Sequence, residues 1–171
     1  MITKRKAAEL IEQVSKDYKL FTPPSFLTRD HKVYQRYLGE KKEILGHALL
    51  NFFPEIEIKR ENKRLDKRIV LHELAHVVVD AHIGNGTGHG PMFAMVATQL
   101  YDRYFGIGRK KYFDLANHPK HMIFGPKPVG RDQVLNMPFI SRDECWRSDI
   151  FLDMLKKLPL KTCSPAGPFQ A

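Results

Sequence analysis

Apolar positions Ala7, Leu10, Ile11, Val14 and Tyr18 recur at spacings of three and four, which predicts an amphipathic helix over residues 3–19. Thr22-Pro23-Pro24-Ser25 then breaks the chain. Residues 32–58 read as three strands. Val33 to Leu38 is rich in β-branched and aromatic residues, and Gly39-Glu40-Lys41-Lys42 supplies a turn. Glu43 to Phe53 is mainly apolar and is interrupted by Pro54. Ile56 and Ile58 then alternate with Glu55, Glu57 and Lys59.

A long helix is predicted over residues 62–82, with Leu65, Ile69, His72, His76 and Val79 on one broad face. Gly84-Asn85-Gly86-Thr87-Gly88 ends it. A second helix is predicted over residues 91–105. Pro91 suits its first turn, and Gly106 and Gly108 lie just past its end.

Beyond residue 116 the pattern loosens. Residues 117–171 hold seven of the eleven prolines and are expected to be mostly irregular. One helix is predicted there, over residues 142–158. Ser141 and Glu144 form its capping box, and Trp146, Ile150, Met154 and Leu158 repeat every four. The expected division is therefore a domain over residues 1–116 and a C-terminal extension over residues 117–171. The expected class is α+β.

With 171 residues and 43% apolar content the chain can bury a core without covalent staples, which excludes a wholly disordered or low-complexity protein. No apolar run is long enough to span a membrane, and the N-terminus lacks the apolar stretch of a secretory signal. Cys145 and Cys163 cannot build a disulfide framework. The expectation is an intracellular protein, cytoplasmic or DNA-associated, with no membrane partner. A net charge of +9 suits a polyanionic partner. Lys59, Arg60, Lys63, Arg64, Lys67 and Arg68 concentrate six positive charges at the predicted start of the long helix. A merely solvated helix start competes evenly with a nucleic-acid-binding role, and the unfavourable placing of basic side chains at a helix N-terminus slightly favours binding.

The chemistry sits in the long helix. His72-Glu73-Leu74-Ala75-His76 is an HExxH sequence. Composition alone predicts about 0.02 such matches per chain, so coincidence is a poor account of it. Histidines at i and i+4 stack on one helix face about 6 Å apart along the axis, where both imidazoles can reach one Zn2+. Glu73 leaves the helix beside that face and can reach a water without being a ligand. A catalytic zinc usually takes a third protein ligand. The best candidate is His89, since the glycine-rich segment before it allows the chain to return. Asp102 on the following helix is the alternative third ligand. Asp80 and His82 are weaker, because a straight helix carries them away from the metal. Tyr101, Tyr104 and His82 are candidates by type for stabilising an oxyanion. His118 and His121 are most simply surface residues, Cys145 a packed thiol, and Phe93 a core residue that supports the His89 loop.

HELAH, a short glycine-containing loop and then Gly88-His89-Gly90-Pro91-Met92-Phe93 resemble the SprT-like (Spartan-like) metallopeptidases. The likeness in layout covers roughly residues 30–106 and is specific at 72–76 and 88–93. It implies a zincin-like fold with an N-terminal helix, a small sheet, the HExxH helix and a following helix. It also implies one Zn2+ per chain held by His72, His76 and His89, with Glu73 as general base in hydrolysing a protein or peptide substrate. Members that act on DNA-bound proteins agree with the basic charge. The cysteine-rich zinc ribbon of some members is absent. The competing reading is a catalytically inactive, metal-stabilised nucleic-acid-binding or adaptor protein. A third is a metallohydrolase with a non-peptide substrate.

Overall fold

A computed structural model describes residues 1–29, 45–60, 62–84, 88–117 and 130–135. The first helix, α1 (Lys4–Asp17), is capped by the Thr3 side chain and buries Ala7, Ile11 and Val14 on one face, as the spacing predicts. Three strands follow: β1 (Ser25–Arg29), β2 (Gly46–Leu49) and β3 (Glu55–Lys59). They form one mixed sheet of order β1-β3-β2, with β1 parallel and β2 antiparallel to β3. The class is α+β.

The first of these strands corrects the sequence reading. Pro23 and Pro24 mark the end of a loop, and the strand begins immediately after them. The strand and turn expected over residues 33–42 lie outside the described residues. The apolar stretch from Glu43 yields only a short strand, because Phe53 N–H donates to Asn51 Oδ1 at 2.9 Å and turns the chain towards β3.

The HExxH helix is α2 (Lys67–Ile83), and it starts five residues later than predicted. Leu65 is held instead in a two-way bridge with Ile2, with N–H···O distances of 2.8 and 2.9 Å. Asn62 and Lys63 are left-handed, at φ 49° and 62°. Asp66 then caps the helix by accepting from Arg68 N–H at 2.9 Å. The basic run is therefore a strand end, a turn and a first helical turn, which removes its predicted conflict with the helix dipole for all but Lys67 and Arg68.

The next helix, α3 (Pro91–Leu100), continues through a single π-helical turn, Tyr101–Phe105, and stops at left-handed Gly106. Two short helices were not anticipated. In α4 (Arg109–Ala116), Tyr112 stacks on Tyr101 at 3.7 Å between ring centroids. In α5 (Arg131–Leu135), Val134 enters the core. The helix expected over residues 142–158, and with it Cys145, Cys163, His118 and His121, lies outside the described residues.

The core lies between the sheet and the helices. Ile56 and Ile58 point into it from β3. Leu71, Leu74 and Val78 come from α2, Phe93, Met95 and Leu100 from α3. Helix α2 is buried along most of its length, packing on α1, α3, β2 and β3. It is the element around which the site is built. Among the described residues no helix is long and apolar enough to cross a membrane.

Candidate metal centre

Helix α2 sets His72 and His76 one turn apart, with ring centroids 5.1 Å apart and planes at 77°. Gly84, at φ 76°, ends the helix where a side chain would be strained. The chain then returns, and His89 arrives just before Gly90 caps α3. Its ring lies 5.1 Å from that of His72 and 4.7 Å from that of His76. The Nε2 atoms of His89 and His72 are 3.1 Å apart. One nitrogen from each of the three rings falls within 4.8 Å of the others. Phe93, 1% exposed and one turn into α3, touches all three rings at 4.4–4.9 Å. It forms the apolar floor that holds them in place.

The donor set fits a transition-metal ion. Burial pushes the His72 imidazole down to about 3, and the neighbouring His76 and His89 push the same way. Burial lowers His89 too. Burial thus favours the neutral form of His72 and His89, the form that ligates metal. Two M–N bonds of 2.0–2.1 Å at a tetrahedral angle separate their nitrogens by about 3.3 Å, close to the 3.1 Å between the Nε2 atoms of His72 and His89. Asp102 is not part of this cluster. Its electrostatic partner is the Arg109 guanidinium. Asp80 and His82 are also outside it, as the straight helix requires.

Glu73 projects towards the sheet side of the same helix and is 5% exposed. Burial raises its carboxyl to about 8, and the Ala48 backbone N–H that bonds it pulls the other way. Strand β2 thus forms the wall behind Glu73. Contact is close at Gly46, where a Cβ would stand 2.4 Å from Ile69 Cγ2 and 2.7 Å from Glu73 Oε1. Sequence reasoning did not find Gly46 or Ala48. The available signal was a glycine at the head of an apolar run, which marks a place where two elements approach closely. Gly46→Ala is expected to destabilise the protein by about 1–3 kcal/mol through overpacking, read as a lower denaturant midpoint at unchanged slope.

These two shifts oppose each other in the metal-free chain. Glu73 is raised above its ordinary 4.5, so its protonated form stabilises the fold at low pH, and that stability is lost as pH rises through 8. His72 is lowered from 6.5, so its neutral form stabilises the fold above 6.5, and that stability is lost as pH falls towards 3. Between pH 6.5 and 8 the Glu73 effect acts without the His72 effect. Thermal midpoints of metal-free protein are expected to fall across that window, and to fall less in Glu73→Gln. An equal fall in both proteins would remove Glu73 as the cause.

The three oxyanion candidates are engaged elsewhere. Tyr101 Oη donates to Arg68 O at 2.6 Å, and Tyr104 Oη to Asp17 Oδ2 at 2.6 Å. His82 Nε2 lies 2.7 Å from Tyr18 O. His82 is also outside the histidine cluster.

The six basic residues do not form one uniform surface. Lys59 is 6% exposed, on the sheet face that carries the Arg29–Glu57 ion pair. That burial removes it from the expected nucleic-acid surface. Lys67 is half-buried, and its ammonium donates to Tyr104 O beside the Phe105 ring. Arg68 is exposed but paired with Asp66. Arg60, Lys63 and Arg64 are exposed.

Comparison of the chain with models of protein families, with curated proteins and with solved structures finds no match.

Proposed function

We propose that the chain is a zinc-dependent metallopeptidase of SprT-like type, with a zincin-like fold over residues 1–116. The observation that carries this reading is the convergence of His72, His76 and His89, with Glu73 the residue after His72 on the same helix. Among the described residues three imidazoles converge and no fourth ligand joins them, which is the donor set of a catalytic zinc, whereas structural sites are closed by a fourth protein ligand. Zinc bound there would supply a Lewis acid that polarises a scissile carbonyl and acidifies a water.

The chain's own residues do the rest. Burial favours neutral His72 and His89 before any metal arrives. Phe93 keeps their side of the site apolar, and β2 shields Glu73 from bulk water. In its ionised form, which burial disfavours below about pH 8 in the metal-free chain, Glu73 would take the proton of the attacking water and return it to the leaving amine. Its bond from Ala48 N–H fixes the carboxylate while that proton moves.

The proposed substrate is a protein or peptide, with DNA-bound proteins favoured by the +9 charge and by exposed Arg60, Lys63 and Arg64. An intracellular, DNA-associated setting follows from that substrate. The inactive metal-stabilised alternative leaves Glu73 without a purpose. Burying a carboxyl is costly, and a purely structural site needs no base. The test is cleavage of an unfolded protein by the zinc-loaded chain, with and without DNA. Absence of cleavage in both, at one zinc per chain, rejects the reading.

A further inference from the structure

Glu73 begins a stripe on α2 that runs on through Val77 to Asp80 and Ala81. Val77 and Ala81 lie one and two turns further along, about 6 and 12 Å from Glu73. Beside that stripe is a cleft of about 220 Å3. Its walls include Phe21, Leu50, Phe52, Val77, Asp80 and Ala81. The wall opposite the helix is the continuation of β2, the strand whose Ala48 N–H bonds Glu73. The cleft therefore shares a helix and a strand with the Glu73 wall and lies just beyond it.

The lining is mixed, with Lys19, Asn51, Asp80 and His82 beside the apolar residues, and exposed aromatic rings stand at its rim. Phe21 is 96% exposed and Phe52 80%, and Phe53, 70% exposed, packs edge-on against Phe52 outside the lining. They stand on two loops that meet at one end of the sheet, joined where Ser25 N–H donates to Pro54 O at 2.9 Å. The Asn51 side chain braces the second loop through Phe53 N–H. The rim is thus formed before anything binds. Sites for whole drug-sized molecules measure about 300–1,000 Å3, so this cleft is scaled to a single side chain.

We propose that this cleft is a specificity pocket for a large apolar side chain, aromatic or aliphatic, of the peptide whose bond is cut beside Glu73. An extended chain advances about 3.3 Å per residue, so the occupant lies two to four residues from that bond. The pocket rests on the peptidase reading, and its test separates the two.

The probes are N-acetyl-L-phenylalaninamide and N-acetyl-L-alaninamide, titrated into the zinc-loaded full chain and followed by amide NMR. The phenyl probe is expected to shift the amides of Phe21, Phe52 and Ala81 at concentrations about tenfold below the alanyl probe. The double variant Phe21→Ser/Phe52→Ser should lose that difference and keep its zinc content and thermal midpoint, because both side chains are exposed. In parallel, cleavage sites are mapped across a mixture of unfolded proteins. Sites cut by the wild type should be enriched in Phe, Leu, Met or Ile two to four residues from the bond, and the double variant should lose the enrichment. Equal response to both probes overturns the pocket, as does cleavage without enrichment. So does self-association of the chain that the double variant abolishes, since the rim would then be a contact between copies. Probe binding by a zinc-loaded chain that cleaves nothing overturns the peptidase reading, and the pocket's role with it.

Discussion

Glu73→Gln is expected to lower peptide hydrolysis about 10²- to 10⁴-fold while leaving zinc content unchanged. The substitution is nearly isosteric. The glutamine oxygen can still accept from Ala48 N–H, so the wall made by β2 should stay in place. The amide cannot take a proton from water, so the only capacity removed is the one the mechanism needs. Folding should not suffer, because the wild-type carboxyl is held against its own ionisation by burial, with its pKa raised to about 8. Single-turnover hydrolysis by wild type and variant, each with metal content measured on the same sample, is the decisive comparison. Full activity in a variant that retains its zinc would end the case for Glu73 as base.

His89→Ala is expected to weaken metal binding by more than about 10²-fold, since loss of merely outer-shell partners already costs 10- to 100-fold. His72 and His76 alone can offer two nitrogens. The third comes from beyond the helix end, with its Nε2 3.1 Å from that of His72. Elemental analysis of variant and parent purified together should give about one metal per parent chain and a marked loss in the variant. A second readout follows from linkage. Anything that binds only the folded chain raises its stability, so a chelator should lower the thermal midpoint of the parent and hardly move that of the variant. A variant that holds one metal as tightly as the parent would exclude His89 as a ligand.

The site was more legible than the sheet behind it. HExxH is local: residue spacing and the pitch of a helix place His72, Glu73 and His76 without further information. His89 needed only a reversal, and Gly84 and Pro91 marked its two ends. The elements that depend on distant partners were harder. Strand β1 exists because Phe26 and Thr28 pair in register with Ile56 and Ile58, and five residues after two prolines do not announce that. The start of α2 was displaced by the bridge from Leu65 to Ile2, a contact between residues far apart in the chain. Alternation along β3 put Ile56 and Ile58 on the inner face, but the charged outer face is not simply solvated. Arg29 on β1 holds Glu57 at 2.8 Å, His47 on β2 stands 3.8 Å from it, and Glu57 is 4% exposed. Pattern along one strand carries no record of what its neighbours bring.

The mixed sheet also fixes an order of assembly. Strands β2 and β3 are joined by residues 50–54, so their antiparallel pairing closes a short loop and can form within microseconds. Strand β1 meets β3 in parallel, Ser25 opposite Glu55, and each of its pairs spans thirty positions of chain. The entropy of closing that longer loop is lost before the contacts repay it. During synthesis β1 leaves the ribosome well before its partner exists, and it has no sheet to join until β3 follows. Because β3 ends only eight residues before α2 begins, the last described strand and the first two histidines of the cluster emerge almost together, and the three described strands can pair as those histidines become available.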